Sequence, residues 1–250
     1  MKNRPLDVVR GEVTGLPIPA TAEIVLEGEM VPPEVETRME GPFGEYLGYY
    51  ASHASPEAAF RVKAIYHRNN PILLGDPPFR VWPLYWWGRN IARAAVMWDR
   101  IETTVPGIEG VWVIEEATVN VPVVAIKQMY AGQAKDAGIA AKAAYNGLTR
   151  FVIVVDDDID PSNLSDVIWA LGTRWDPAEG FDILRKTTTN IKDSLLTAEQ
   201  RKQNNLYTNV GIITACKPFG WIDEFPKVIQ SSKELREKVK EKWADLLKEA

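Results

Sequence analysis

Apolar and polar positions along the chain change their rhythm twice. Near the start, "LDVVRG" and "AEIVLEG" are short β-branched runs bounded by Pro and Gly, which predicts strands. "GEYLGYYAS" and "AAFRVKAIYHR" read as antiparallel neighbours, and "NNPILLGDPP" as a turn-rich stretch around a brief apolar run. "LYWWGRNIARAAVMWDRIETTV" then switches to helical spacing, with Ile91, Ala94, Ala95 and Trp98 on one face, and stops before "PGIEG". "GVWVIEEATVNVPVVAIKQ" returns to a strand pattern, and "AGQAKDAGIAAKAAYNGL" is Ala-rich and helical.

"RFVIVVDDDID" is a continuous apolar run ending in acids, the profile of a buried parallel strand that runs into a loop. "DPSNLSDVIWALGTRW" is expected to be a helix, with Ser162 or Asn163 as its cap and Asp166 in its first turn. Residues 176–220 are mixed and poorly periodic. The last stretch carries Leu235, Val239, Trp243 and Leu246 on one stripe of an amphipathic helix, a face for packing on this chain or on a partner. A β-rich first part followed by β-α alternation predicts an α+β piece joined to an α/β piece, with a boundary near residues 76–84. The expected division is residues 1–80, 81–230 and a terminal helix over 231–250.

Composition narrows the function classes. The 250 residues suffice for one large domain or two modest ones, and 46% hydrophobic with 25% charged content is that of an ordinary globular protein. A net charge of -5 and the lack of a basic run interleaved with aromatics argue against nucleic acid. Cys216 is the only cysteine, so an internal disulfide and a multi-cysteine metal site are excluded. No apolar run approaches a membrane span and the first residues lack a signal-peptide core, so a cytoplasmic location and no membrane are expected. Nine Trp imply large buried aromatic surfaces in a core, a pocket or a subunit contact.

Candidate chemistry concentrates in "EGPFGEYLGYY", residues 40–50. Glu40 and Glu45 bracket Gly41, Pro42 and Gly44, residues that restrict or widen the backbone angles and can stiffen a loop. Paired acids held near apolar rings can titrate apart, leaving one able to donate a proton. The same spacing also suits a charged surface turn. His53 and His67 have no metal-ligand spacing. Asp156, Asp157 and Asp158 follow a buried strand, where sites often form, yet acids there also cap the next helix. Lys127 and Lys135 could reach an anion or simply be solvated. No GxGxxG, P-loop or GxSxG occurs, and no Ser or Thr has an obvious His partner.

Taken together, "PATAEIVLEGEM", "EGPFGEYLGYY", "IKQMYAGQAK" and "FVIVVDDDIDPSNLSDVIWALGTRWDP" resemble the UbiD-type decarboxylases that use prenylated flavin, in that order and at similar spacing. The resemblance implies part of a split β-barrel-like flavin domain followed by an α/β domain, and a (de)carboxylase of aromatic or conjugated acids. It makes Glu45 the proton donor and Glu40 a member of a Glu–Arg–Glu/Asp network over the flavin. Asp7, in "PLDVVRG", matches an acid that helps hold Mn²⁺ or Mg²⁺ on the flavin phosphate, with K⁺ a further candidate ion. The shorter Asp stands where the family has Glu.

Members of that family are about twice as long, and their first half brings the Arg, Asn and His of the site. A second polypeptide supplying that half, in a higher oligomer, is therefore the expected partner, the opening methionine favouring a natural split over a fragment. Ile213 in "NVGIITACKPFGW" stands where the family pattern has Asp. Trp82, Tyr85, Trp86 and Trp87 could line a pocket for a flat substrate or pack in a core or interface. The rival reading is a non-catalytic scaffold subunit of the same fold.

Overall fold

The computed structural model describes residues 5–50, 54–75, 80, 86–118, 120–145 and 148–244. Its frame is a five-stranded mixed sheet built from β7 (Ile108–Val113), β8 (Pro122–Ile126), β9 (Phe151–Asp156), β10 (Phe181–Thr188) and β11 (Tyr207–Ala215). The strand order is β10-β11-β9-β8-β7. β8 and β11 flank β9 in parallel, while β7 and β10 close the edges antiparallel.

The two central strands explain the layers. Every residue of β8 is buried, as is all of β9 after Phe151, so neither strand offers a face to water. Their alternation sorts the side chains by period two. Val124, Ile126, Val152 and Val154 point into one cluster with Ala94, Met97 and Ile101 of α1 (Trp86–Glu102) and Ala137 and Ala141 of α2 (Gln133–Ala144). Val123, Ala125, Ile153 and Val155 point into the other, with Val167 and Ala170 of α3 (Leu164–Arg174). Helices on both faces follow from strands that are apolar on both faces. At Gly138 an added Cβ would meet Ile212 Cγ2 at 2.4 Å, so the glycine is what lets α2 sit this close to the sheet.

Before this unit come three small antiparallel pairs. β1 (Val8–Arg10) pairs with β2 (Pro17–Pro19), β3 (Ile24–Met30) with β6 (Phe60–His67), and β4 (Thr37–Glu40) with β5 (Ser55–Ala58). Glu27 ties the first two pairs together. Its carboxylate accepts from Thr14 Oγ1, the Thr14 and Val13 amides and the Tyr66 hydroxyl, and these bonds, led by Thr14 Oγ1, hold its pKa at about 2. The opposite face of β3 and β6 carries Leu26, Met30 and Ile65, all more than half exposed. α4 (Ala198–Lys202), a 3-10 turn (Phe219–Trp221) and α5 (Lys233–Lys242) complete the described elements. No helix among the described residues is long and apolar enough to cross a membrane.

Several expectations need correction. Among the described residues of "GEYLGYYAS", 44–50, there is no strand and the one ladder contact is the isolated bridge between Gly44 and Tyr50; β6 pairs with β3 instead. The buried stripe of α1 includes Asn90, Ala94, Met97 and Ile101. Of the expected face, Ala94 is buried and Trp98 packs at the cluster's edge, while Ile91 and Ala95 are exposed, because the sheet lies about a quarter turn round from the centre of that face. β10 and β11 lie in the stretch without clear periodicity. Asn163, accepting from the Ser165 amide at 3.1 Å, caps α3. Leu235, Val239 and Trp243 on α5 are about half exposed, and Leu246 lies outside the described residues. The expected boundary falls largely on residues outside the described ones.

Asp156, at the end of β9, and Asp158 serve an ion-pair network rather than a helix cap. Arg174, at the end of α3, donates to Asp156 at 2.8 Å and to Asp158 at 2.7 Å, and Lys217 pairs with Asp158 at 3.0 Å. Asp156 also accepts from Gln128 Nε2 and the Lys217 amide, while Asp157 is exposed. Burial acts to raise the pKa of Asp158, but hydrogen bonds from Arg174 and Lys217 overcome it and hold the value at about 2. The folded value lies below the unfolded one, so the contribution to stability is complete above pH ~4 and is lost as pH falls toward ~2. Replacing Asp158 with Asn is expected to flatten stability against pH across that window in acid titrations of the denaturation midpoint. Arg174→Met leaves Asp156 buried and unpaired and is expected to cost about 3 kcal/mol in chemical denaturation.

Candidate active site

Residues 41–50 form a loop whose shape its small residues permit. Gly41 and Gly48 occupy left-handed backbone, φ +82 and +77. The Gly48 amide donates to the Glu45 carbonyl at 2.8 Å, and the Glu45 amide to the Tyr49 carbonyl at 2.9 Å, closing the turn on itself. Tyr46 and Leu47 then point inward: Leu47 is buried and Tyr46 packs against the cluster under α1 and α2. Burial, helped by neighbouring Tyr145, pushes the Tyr46 phenol up to about 12 against the opposing effect of Arg93. A turn pinned in this way leaves Glu45 little freedom.

Glu45 is met from the other side of the fold. Lys192 Nζ stands 2.8 Å from its Oε2, with the Glu45 side chain 15% exposed and that of Lys192 42%. The same ammonium lies 6.0 Å from the centroid of the Tyr46 ring, at the outer limit of a cation–π contact. Lys192 belongs to the loop after β10, whose conformation rests on Asp193. That carboxylate is fully buried and accepts from Arg150 Nη2, Thr189 Oγ1 and the Leu195 amide at 2.8, 2.8 and 3.0 Å. Burial would raise the pKa of Asp193, yet the Leu195 amide, Thr189 and Arg150 outweigh it and leave the group below its ordinary value.

Arg201 braces the carbonyls on both sides of Lys192, with Nε on Ile191 O at 3.1 Å and Nη2 on Asp193 O at 2.8 Å. Arg201 is itself fixed by α4, whose capping box is Thr197 with Gln200. Between the two loops lies an open groove of about 1050 Å³, lined by Pro42, Tyr49, Tyr50, Lys192, Leu195 and Arg201. Flat rings and two cations on one groove suit a planar anionic molecule.

The other expected site residues stand elsewhere. Glu40 ends β4, is exposed, and borders a separate depression with Arg38, Glu57 and Arg61. Asp7 is exposed ahead of β1, and its carbonyl takes the Ala20 amide at 2.9 Å. No group of three or more His, Cys, Asp or Glu that could hold a metal occurs among the described residues. His67 is exposed, and His53 lies outside the described residues. Trp82 and Tyr85 also lie outside them, while the backbone of Trp86 and Trp87 opens α1. Lys135 pairs with Asp182 at 2.6 Å.

Lys192, Asp193 and Arg201 are missing from the sequence reading. The capping box T-x-x-Q at Thr197 to Gln200 signals an ordered loop end. No local pattern announces that Lys192 meets a carboxylate 147 residues away.

Comparison with known proteins bears on the family and the fold. The 3-octaprenyl-4-hydroxybenzoate carboxy-lyase Rift-related domain matches residues 1–78, and the C-terminal domain of the same description matches residues 87–212. The chain belongs to the UbiD family. It is 36% identical over 190 residues to the phenolic acid decarboxylase of Bacillus subtilis, covering 71% of this chain and 37% of that protein. The structure of the UbiD-class enzyme HmfF from Pelotomaculum thermopropionicum, in complex with FMN, superposes with a TM-score of 0.79 at 28% identity, covering 94% of this chain and 50% of that one. Vanillic acid decarboxylase of Sedimentibacter hydroxybenzoicus gives a TM-score of 0.79 at 26% identity over 98% of this chain and 51% of its own. The chain spans about half the length or less of these relatives.

Removal of the Asp193 carboxylate in Asp193→Ala is expected to cost about 2–3 kcal/mol in denaturant unfolding, because it leaves Arg150, Thr189 and the Leu195 amide without their acceptor. Amide exchange across residues 189–197 should accelerate in the same variant.

Proposed function

We propose that this chain is the acid-bearing half of a prenylated-FMN-dependent (de)carboxylase of an aromatic or conjugated carboxylic acid, with Glu45 as proton donor. The observation that carries the reading is the placement of Glu45: on a self-closed turn, mostly buried, at the junction of two braced loops beside a groove lined by flat rings. The kinship with phenolic and vanillic acid decarboxylases supports the reaction class.

When bound, the prenylated flavin supplies the electron sink that takes the pair left on carbon as CO2 departs. Tyr49 and Tyr50 would flank a flat molecule in the groove, and Pro42 and Leu195 would exclude water from its edge. Glu45, as the neutral acid, gives its proton to the carbon that lost CO2. The carboxylate so formed has the Lys192 ammonium 2.8 Å away to stabilise it. Carboxylation, the reverse, would use the same groups.

The half of the relatives' length that this chain does not span is supplied, in this reading, by a second polypeptide. The uncovered apolar face of β3 and β6, with Leu26, Met30 and Ile65, is a surface that such a partner would bury. Glu40, exposed at the end of β4, would meet an arginine of that partner. Asp7 would supply one ligand to a Mn²⁺ or Mg²⁺ whose other ligands come from outside this chain.

Co-expression with a polypeptide carrying the other half, and loading with prenylated flavin, should yield decarboxylation of aromatic acids. Glu45→Gln should lower that rate by about 100-fold or more without releasing flavin. Unchanged turnover in Glu45→Gln removes the proton-donor assignment, and a purified complex without flavin absorbance points to a scaffold instead.

A further inference from the structure

We propose that Lys192 is the residue that recognises the departing carboxylate of the substrate, so that the groove is built for an anionic acid and selects it over a neutral isostere. The inference rests on the reading of Glu45 as proton donor and deepens it. Glu45 must deliver its proton to the carbon from which CO2 has just left, so the substrate's carboxylate lies beside the Glu45 carboxyl before it departs. The Lys192 ammonium, which touches Glu45 at 2.8 Å, therefore lies within reach of that carboxylate too.

Three features mark Lys192 as a placed cation and not a mobile surface lysine. Its side chain lines the groove and is 42% exposed, while its loop is fixed from both sides by Arg201 on Ile191 O and Asp193 O. The neighbouring Asp193 is wholly buried and hydrogen-bonded. Asn190 Oδ1 accepts the Lys192 amide at 2.9 Å, so even the backbone of the residue is held. A preset cation has less ordering entropy to lose when an anion arrives.

Charge conservation makes the assignment coherent through the reaction. The substrate carboxylate and neutral Glu45 become CO2, a neutral C–H product and the Glu45 carboxylate. The C–C bond breaks, its electron pair ends in the new C–H bond, and the proton comes from Glu45. One negative charge therefore exists near Lys192 before and after, first on the substrate and then on Glu45. An ion pair between the Lys192 ammonium and the Glu45 carboxylate suits the stage after proton donation, and Glu45 takes its next proton from solvent as an incoming acid takes the ammonium over.

Binding to the full two-part complex, loaded with FMN rather than the prenylated form so that nothing turns over, gives a readout independent of activity. Calorimetry with 4-hydroxybenzoate and 4-hydroxybenzamide should show the wild type preferring the acid by about 10-fold or more, the worth of one charge-assisted contact. Lys192→Met should abolish that preference by weakening acid binding while amide binding holds, and Lys192→Arg should restore most of it. Lys135→Gln, which removes only the surface pair with Asp182, should change neither ligand. In the prenylated-flavin enzyme, Lys192→Met should raise KM more than it lowers kcat. No preference in the wild type, or a preference that survives in Lys192→Met, overturns the proposal. Full turnover in Glu45→Gln sinks the parent reading instead, so the two failures are told apart.

Discussion

Two strands that can tolerate water on neither face set the terms for everything else in this molecule. β8 and β9 are apolar along almost their whole length, so helices must cover both sides of the sheet, and the connections gather at its ends. Burying those faces is worth roughly 1.5–3 kcal/mol for each fully enclosed Val or Ile. No single polar contact in the site approaches the sum over such a frame. The loops at the groove can therefore carry partly desolvated charge, because the sheet beneath them supplies the stability they do not.

What the sequence discloses follows the same division. The run "RFVIVVDDDID" announces a buried parallel strand because a central strand is unmistakable in hydropathy, and β9 is that strand. The helix after it is equally legible from "PSNLSD", since Asn163 has the cap chemistry that the structure realises. β11 is harder: in "YTNVGIITA" a buried position near the start is the polar Thr208, the adjacent buried Ile212 and Ile213 break the alternation, and a glycine interrupts it where Gly211 lets Phe181 and Phe151 approach. The aromatic stretch after Glu45 misleads, because its tyrosines have strand propensity while the two glycines bend the backbone out of a ladder.

For the site, one partner of the ion pair is readable and the other is not. Glu45 sits in a short segment whose Gly and Pro content declares a special backbone, so it stands out even without context. Lys192 lies in "TTTNIKDSLLT", where nothing in the spacing distinguishes it from a solvated lysine. Its role comes from three-dimensional convergence of distant loops, which sequence periodicity does not encode. Asp156 and Asp158 show the converse: conspicuous in sequence, they are absorbed by Arg174 and Lys217 into holding α3 against the strand ends.

The inward pointing Tyr46 has a mechanical consequence. Its ring shares the hydrophobic cluster with the helices of the α/β layer, and the acid is the very next residue toward the N-terminus. Any swing of that acid by more than a rotamer change would have to extract the ring from its socket. Approach of the reacting carbon to the carboxyl must therefore come from ligand travel or from closing of whole bodies, with the acid itself as the stationary anvil.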